Sequence, residues 1–252
     1  MDFISGEIIA VDKPYGWTSF DAVKRLRGAL SRRLRLKKIK VGHAGTLDPL
    51  ATGVLLICTG RATKLIDKLQ AGRKEYVATM RLGATTPSFD LEKEIDATYP
   101  TAHITEPMVR ETLKRFTGTV MQVPPVFSAV KIDGKRAYKF ARKGADVELK
   151  AKPLQIDEIE LLGCRLDAGA PEIELRILCS KGTYIRALAR DIGLALGSGA
   201  HLTALRRTRV GDFTLSACLS VDDALQVITT APLSFPADYQ GYIPENSTPI
   251  KE

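Results

Sequence analysis

The sequence predicts one domain of the mixed α and β class, and three observations lead to this prediction. Strand-like and helix-like segments alternate along the chain, with no internal repeat and no low-complexity linker between them. Two stretches, 76–82 and 173–179, largely alternate apolar with polar residues, which is typical of half-buried strands. The 252 residues are 44% hydrophobic, which is ample for a buried core.

The first elements are a short apolar run, 8–11, and a turn-rich stretch, 12–19, that leads into a helix. Thr18 and Asp21 form a capping-box-like pair at the start of this helix. The apolar residues that we expect on one face of the helix are Phe20, Val23, Leu26 and Leu30. Its other side carries a dense group of basic residues.

Two later helices are predicted from the glycines that stop them. The first covers 105–116 and ends before Gly118, and the second covers 183–196 and ends before Gly197. Between them, the segment 123–152 has no clear period and is rich in Pro, Gly and Lys. Unstructured connections of this length inside compact domains are commonly functional.

Positive charge is concentrated in two places. The net charge is +8 and the pI is about 9.3. The basic run 24–40 contains no acid, and its cations are Lys24, Arg25, Arg27, Arg32, Arg33, Arg35, Lys37, Lys38 and Lys40. Such a run is often a solvated face, but one this dense repels itself unless nucleic acid or an anionic membrane neutralises it.

The second concentration favours RNA over lipid. Within 123–152, the cations Lys131, Lys135, Arg136, Lys139, Arg142 and Lys143 are interleaved with Tyr138 and Phe140. Exposed bases stack on aromatic rings while phosphates meet the cations, so this mixture is typical of RNA-binding segments.

Several functional classes are disfavoured by the sequence. No apolar run is long enough to span a membrane and no secretory signal is present, so we expect a cytoplasmic protein. The four cysteines, Cys58, Cys164, Cys179 and Cys218, are far apart and indicate neither a zinc site nor a disulfide framework. No phosphate-binding or dinucleotide-binding glycine motif occurs, so a nucleotide-dependent enzyme is disfavoured. We expect no cofactor and no metal.

The most informative segment is 42–55, with the sequence Gly-His-Ala-Gly-Thr-Leu-Asp-Pro-Leu-Ala-Thr-Gly-Val-Leu. Its lone acid, Asp48, lies among small and apolar residues and precedes the rigid Pro49. The three glycines allow backbone to approach a ligand closely. An isolated Asp-Pro would be an ordinary surface turn. The whole string instead closely resembles the signature of the TruB-type tRNA pseudouridine synthases.

Three further segments resemble motifs of the same family, in the family's order. They are Asp-Lys-Pro-Tyr-Gly-Trp-Thr-Ser at 12–19, Arg-Lys-Glu-Tyr at 73–76 and Cys-Ser-Lys-Gly-Thr-Tyr-Ile-Arg at 179–186. The last of these continues into Gly-Ala-His-Leu-Thr-Ala-Leu-Arg-Arg at 199–207. The matches extend over roughly residues 8–212, which a single chance motif cannot produce.

The resemblance implies a fold, a reaction and a set of site residues. The implied fold is α+β, with a mixed, largely antiparallel central sheet flanked by helices and a thumb-like insertion. The implied reaction converts uridine 55 in the T-psi-C arm of tRNA to pseudouridine after the base has been flipped out of its stack. In the implied site Asp48 is the nucleophile, Tyr76 stacks on the uracil and Arg186 pairs with Asp48. The residues that complete the pocket and its RNA contacts are His43, Tyr184 and Leu205.

Each of these residues also has a structural interpretation. Tyr76 can be a core-edge residue of its strand, His43 a loop histidine and Leu205 an ordinary core residue. An Arg in the first turn of a helix is disfavoured by the helix dipole, so Arg186 requires an anion, and Asp48 is the natural candidate. Lys13 and Lys64 look exposed, and RNA contact and a structural role are equally expected for them.

The resemblance also implies a domain plan. Residues 1–230 would form the catalytic domain, with 123–152 as a thumb-like RNA-binding insertion that includes Lys131, Arg136 and Arg142. Ser220 and Asp223 cap one short helix, and 231–252 would be a short extended tail rather than a full accessory RNA-binding module. We therefore expect a monomer that acts on the T arm without a protein partner and also assists tRNA folding. An RNA-binding protein with a vestigial pocket remains the alternative.

Overall fold

A computed structural model describes residues 1–126, 149–167 and 169–241, and the backbone alone of 131–132, 135–136 and 248–249. The α-helices are Ser19–Arg33 (α1), Ile66–Ala71 (α2), Glu106–Lys114 (α3), Ile185–Ala195 (α4) and Val221–Thr230 (α5). The strands are Ile8–Lys13 (β1), Val41–Ala44 (β2), Ala51–Thr59 (β3), Lys74–Leu82 (β4), Ala84–Thr85 (β5), Ala97–Thr98 (β6), Gly118–Gln122 (β7), Lys131–Ile132 (β8), Lys135–Arg136 (β9), Lys152–Arg165 (β10), Glu172–Cys179 (β11), Ala200–Val210 (β12), Phe213–Thr214 (β13), Ser234–Phe235 (β14) and Thr248–Pro249 (β15).

The chain forms two compact units. The first unit combines Met1–Arg73 with Arg206–Glu252, and the second is Lys74–Leu205. Strand β12 crosses the boundary, because its residues 200–205 belong to the second unit and 206–210 to the first.

In the first unit, β3 is the buried central strand. It pairs antiparallel with β1 and with β2, and β12 lies beside it in the sheet order. Leu55 and Ile57 point into a core that is covered by α1 and α5, whereas Val54 and Leu56 belong to a second apolar cluster on the opposite face. Because both faces are covered, the strand is almost entirely apolar.

Helix α1 confirms the predicted capping box and corrects one predicted core residue. Thr18 accepts a hydrogen bond from the Asp21 backbone N–H, and the Asp21 carboxylate accepts one from the Thr18 backbone N–H. Val23, Leu26 and Leu30 are buried as predicted. The prediction for Phe20 is wrong, because its side chain is 57% exposed and lies under the guanidinium of Arg27.

The predicted helix after Ser220 is confirmed as α5, and the segment that follows it packs against the first unit. Leu233 and Phe235 are buried in the same core as α1. The terminal ammonium of Met1 donates to the Pro232 carbonyl, and the backbone N–H of Ser234 donates to the Met1 carbonyl. The first part of the predicted tail therefore contributes to the core.

In the second unit, the sheet order is β12, β4, β11, β10, β7, and the pairs from β4 to β7 are antiparallel. Strands β4 and β11 alternate buried and partly exposed residues, which confirms both period-2 predictions. Helices α3 and α4 confirm the predictions for 105–116 and 183–196 to within two residues at each end. The predicted α+β class with a largely antiparallel sheet is thus confirmed.

Little of the predicted insertion 123–152 falls within the described residues. Within it, the short strands β8 and β9 pair antiparallel, with Lys131 opposite Arg136. The side chains of Lys131 and Arg136, and the whole of Arg142, lie outside the described residues.

Candidate functional site

Asp48 lies in the first unit, in the segment 45–50 between β2 and β3, and is half-buried. Hydrogen bonds from α1 and from the preceding turn fix the backbone around it. The Leu47 N–H donates to the Ser19 hydroxyl oxygen at 2.8 Å, and that hydroxyl donates to the Leu47 carbonyl. The Gly16 N–H donates to the Pro49 carbonyl at 2.9 Å. The carboxylate is therefore presented by a backbone that is bonded on both sides.

Lys13 is buried, so the expectation that it is exposed is wrong. Its ammonium donates to the carbonyls of Trp17 at 2.6 Å, Pro14 at 2.8 Å and Pro49 at 3.3 Å. Burial lowers the pKa of Lys13 to about 8, and the negative charge of Asp48 opposes that shift. These contacts favour a structural role for Lys13 over an RNA contact.

Arg207, in β12, is a second buried cation that contacts the segment around Asp48. Its exposed fraction is only 1%. Its Nε donates to the Val54 carbonyl at 2.8 Å, Nη2 to the Gly45 carbonyl at 3.1 Å and Nη1 to the Thr46 carbonyl at 3.4 Å. These acceptors lie on either side of Asp48 in the sequence. Sequence reasoning passed over Arg207, although it belongs to the matched Leu-Arg-Arg motif.

His43 is the third residue of β2 and is half-buried. Burial lowers its pKa, the nearby Arg207 charge lowers it further, and a hydrogen bond with the Gly45 backbone opposes both effects. The imidazole is therefore neutral at pH 7. A neutral ring can form hydrogen bonds but cannot form an ion pair with a phosphate.

The other predicted site residues lie in the second unit. Tyr76 is in β4 and is 8% exposed, and Leu205 is half-buried in β12. Tyr184 is the N-cap residue of α4, and the Gln122 side chain contacts its backbone twice. The Tyr184 N–H donates to Gln122 Oε1 at 2.9 Å, and Gln122 Nε2 donates to the Tyr184 carbonyl at 3.1 Å.

Arg186 is in the first turn of α4, as predicted, and is 4% exposed. Its Nη1 donates to the Ser88 carbonyl at 3.1 Å, and its Nε lies 3.6 Å from Asp90 Oδ2. Asp90 is itself buried and supplies a negative charge at this helix terminus, where the dipole disfavours a cation. No periodic pattern or motif marks Ser88 or Asp90 in the sequence, so both were missed.

Phe89, between these two residues, has a strained backbone. Its φ of 62° lies in the left-handed region, which costs an aromatic residue about 1–3 kcal/mol. The Arg190 guanidinium carbon lies 4.9 Å from the centroid of its ring. Such strain persists only where the surroundings determine it, and it commonly occurs at functional sites.

The outer side of α1 carries a basic groove, which we call the α1 groove, with a volume of about 380 Å³. The residues that line it are Trp17, Asp21, Lys24, Arg25, Gly28 and Arg32. Their spacing of three or four residues defines one stripe of the helix. The groove contains three of the cations of the basic run 24–40. Lys64, in the 3-10 helix Gly60–Leu65, is exposed as predicted.

Metal-binding clusters and membrane-spanning helices are both absent from the described residues. No group of three His, Cys, Asp or Glu side chains there is arranged to hold a metal ion. None of the helices in this part of the chain combines the length and apolar character needed to cross a membrane.

Two family models cover most of the chain. The model of the TruB family pseudouridylate synthase N-terminal domain matches residues 32–185. The model of the tRNA pseudouridylate synthase B C-terminal domain matches residues 186–232.

Individual proteins of the same family match nearly the whole chain. The chain is 66% identical over 229 residues to the tRNA pseudouridine synthase B of Parabacteroides distasonis, covering 90% of this chain and 96% of that protein. It is 51% identical over 221 residues to the protein of the same name from Flavobacterium johnsoniae, and the match covers 87% of this chain and 95% of that protein.

Solved structures of more distant relatives share the fold. A chain of a Cbf5-Nop10-Gar1 complex superposes with a TM-score of 0.67 at 31% identity, covering 90% of this chain and 55% of that one. A chain of an H/ACA RNP bound to a substrate RNA containing 2'-deoxyuridine gives a TM-score of 0.63 at 29% identity. The match covers 89% of this chain and 54% of that one. This chain thus spans about half the length of those two. The motifs, the fold and the matches over most of its length together show that the chain belongs to the TruB family of pseudouridylate synthases.

Proposed function

We propose that this protein isomerises uridine 55 in the T arm of tRNA to pseudouridine, with Asp48 as the nucleophile. The observation that carries the proposal is the presentation of one half-buried carboxylate by a backbone segment that is hydrogen-bonded on both sides. The relatives named tRNA pseudouridine synthase B, which match nearly their whole length, support the choice of tRNA as substrate.

The reaction requires an ionised carboxylate. In pseudouridine formation the N1–C1′ bond breaks, the uracil rotates and C5 bonds to C1′, after which C5 loses its proton and N1 carries one, so that the product is an isomer of the substrate. Asp48 can serve by adding to C6, by adding to C1′ or by removing a ribose proton, and in each case its anion is the active form. The buried ammonium of Lys13 supports this state, because the attraction that raises the pKa of Lys13 also favours the charged form of Asp48.

For the second-unit residues we propose the roles that the resemblance implies. Tyr76 provides the planar ring on which the uracil stacks, and Tyr184 and Leu205 contact the same uridine. Arg186 balances the charge of Asp48 during the reaction. The Ser88 carbonyl and the Asp90 carboxylate fix the orientation of the Arg186 guanidinium, which supports a positioned rather than a mobile cation.

For RNA binding we propose two surfaces. One is the α1 groove with the rest of the basic run 24–40 and Lys64, where Trp17 lies beside several cations. The other is the insertion 123–152, through Lys131, Arg136 and Arg142. The solved complex of a 29% identical relative with a substrate RNA supports RNA as the ligand. The same basic surfaces would allow the protein to assist tRNA folding without any chemistry.

We further propose that the protein acts in the cytoplasm as a monomer and without a protein partner, unlike the relative solved with Nop10 and Gar1. The test uses the purified chain alone with a tRNA transcript. Pseudouridine is mapped by chemical modification and primer extension, and molecular mass is measured by light scattering. We expect modification at position 55 only, by a monomer. Modification at another uridine, or only after addition of a cell extract, would contradict this proposal.

A further inference from the structure

We propose that Arg207 is the positioning residue of the segment that carries the nucleophile, and this inference rests on the function proposed for Asp48. Arg207 acts by fixing the backbone on both sides of Asp48, and RNA binding does not depend on it.

The geometry of the three hydrogen bonds supports this role. Gly45 and Thr46 precede Asp48, and Val54 in β3 follows it, so a single side chain bonds to backbone on both sides of Asp48. The guanidinium carries its N–H donors in a fixed planar fork, and three different nitrogens of it each reach a carbonyl here. The side chain is 1% exposed, so the bonds are made away from water, where they are least easily exchanged.

The backbone of Arg207 also contacts the far end of the segment. Gly53 has a φ of +103°, and a Cβ added there would lie 2.1 Å from the Arg207 carbonyl oxygen. Only glycine permits this approach. The segment is therefore fixed to residue 207 through both the side chain and the main chain of that residue.

The charge of Arg207 is not neutralised by these bonds, because carbonyl oxygens are neutral acceptors. Its field reaches the neighbouring groups, since Arg207 contributes to lowering the pKa of both His43 and Lys13. The same positive field favours an anion on the segment that it holds.

Arg206 is a matched control, because it is the adjacent arginine on the same strand. Neighbouring side chains of a strand point to opposite faces. The Arg206 guanidinium donates to Asp12 at 2.6 Å and to the Thr52 hydroxyl at 3.1 Å, and its side chain is 41% exposed. Arg206 thus bonds to the side chains of Asp12 and Thr52, whereas Arg207 bonds to backbone carbonyls on both sides of Asp48.

The test compares Arg207→Ala and Arg207→Lys with Arg206→Ala under single-turnover conditions with saturating tRNA. Misplacement of a reacting group by about 1 Å costs on the order of 100-fold in rate, so we expect about that loss for Arg207→Ala. The tRNA affinity should stay unchanged, and guanidinium ion, kept below the concentration that shifts the melting temperature, should restore part of the rate. Arg206→Ala should keep nearly the full rate and gain nothing from guanidinium.

A folded Arg207→Ala variant with the parent's rate, or one whose loss guanidinium does not repair, would overturn the proposal. If Arg207→Ala does not fold, Arg207→Lys is the deciding variant, because it keeps the positive charge but replaces the three nitrogens that bond the Val54, Gly45 and Thr46 carbonyls by a single one. Arg207→Lys with full turnover would also overturn it.

Amide hydrogen exchange separates this proposal from the proposed function. If the parent protein forms no pseudouridine, the proposed function fails, but positioning still predicts faster exchange over 45–50, which excludes the Arg206 partner Thr52, in the Arg207 variants. Arg206→Ala should leave that exchange unchanged. Equal exchange in all three variants would contradict positioning, whatever the activity.

Discussion

At the scale of single residues, the charges around Asp48 lie in unusual surroundings. Lys13 and Arg207 are both buried, and between them they donate to six backbone carbonyls, which stabilise a cation without removing its charge. The Coulomb attraction between Lys13 and Asp48 favours the charged form of the Asp48 carboxylate. In the proposed function, this charged form of Asp48 is the one that reacts.

The first prediction concerns Asp48→Asn. The change keeps the shape of the side chain and removes the carboxylate that we propose as the nucleophile, so turnover should vanish. Because RNA affinity depends on other surfaces, it should stay within about tenfold, roughly 1.4 kcal/mol. Pseudouridine formation and filter binding measure the two quantities on one preparation. Residual turnover above a few per cent would count against a nucleophilic or basic role for Asp48.

The second prediction concerns the pH dependence of stability. The pKa of Lys13 is about 8 in the folded protein, against 10.5 for an ordinary lysine. Between these values the unfolded chain binds the proton and the folded chain does not, so the contribution of Lys13 makes the free energy of unfolding rise with pH across that window. Below pH 8 the full penalty of a buried ammonium is present. In Lys13→Met this rise should disappear.

Urea unfolding of the parent and of Lys13→Met at neutral pH and at about pH 10 measures the difference. Other groups that titrate in this range contribute equally to both proteins and cancel. If the two proteins changed by the same amount between the two pH values, the buried state of the Lys13 ammonium would be refuted.

The sequence could not reveal that Lys13 and Arg207 are buried and bonded to backbone carbonyls. A Lys beside a Pro in a turn is exposed in most proteins, and the carbonyls that surround Lys13 come from Pro14, Trp17 and the distant Pro49. Arg206 and Arg207 look equivalent in a sequence, and only the orientation of β12 decides which one is buried. Motif residues were found by resemblance, whereas their supporting contacts depend on the tertiary structure.

At the scale of elements, the end of β7 is hydrogen-bonded to the start of α4. Gln122 is 2% exposed, and its amide makes the same pair of hydrogen bonds to Tyr184 that a neighbouring strand would make. The next carbonyl, that of Val123, accepts a bond from Arg190, whose guanidinium stacks on Phe89. The root of the insertion 123–152 thus contacts the residues around Tyr184 and Arg186.

The third prediction follows from this contact. Gln122→Met keeps the length of the side chain but leaves the backbone N–H and C=O of Tyr184 without these partners, which should destabilise the protein by about 1–3 kcal/mol. Chemical denaturation measures the loss. Gln155→Met is the matched control, because its amide oxygen accepts only an exposed bond from Thr119, and we expect it to change stability by less than about 0.5 kcal/mol. Equal effects of the two substitutions would contradict the prediction.

Most helix and strand positions could be predicted because they depend on local signals. Thr18, Ser220 and Gly197 mark helix ends through capping and backbone chemistry that neighbouring residues supply. Phe20 was misplaced because the apolar stripe of α1 is completed by Ala22 and Ala29, whose small side chains give a weak hydrophobic signal. Asp90 lies in a turn without a period, so nothing in its neighbourhood indicates that it is buried beside Arg186.

At the scale of the whole molecule, the excess of positive charge predicts how RNA binding responds to salt. Each phosphate neutralised by the protein releases counterions, so the logarithm of the affinity should fall linearly with the logarithm of the salt concentration. We expect the slope to decrease when cations of the basic run 24–40 are replaced. Lys24→Gln combined with Arg25→Gln removes two residues of the α1 groove. Filter binding over a salt series would show an unchanged slope if this groove does not contact RNA.

The last prediction tests the insertion. Replacement of 131–143 by a short Gly-Ser linker should weaken tRNA binding severely, because it removes both aromatic and basic residues. The melting temperature should change little, since the length of a connecting segment affects stability only slightly. A variant that melts normally and binds tRNA with the affinity and salt slope of the parent would show that the insertion is an ordinary surface loop.

The bonds from Arg207 to Gly45 and Thr46 have a consequence for the order of synthesis on the ribosome. The two ends of the Gly45 contact are 162 residues apart, and the first unit takes its core from Met1–Arg73 together with Arg206–Glu252. At about 5–20 residues per second, the nascent chain waits roughly 8–30 s between making Asp48 and making the residue that positions it. During that interval the Gly45 and Thr46 carbonyls cannot accept the hydrogen bonds from Arg207. Incomplete chains should therefore bind RNA through the basic run 24–40 before they can modify it.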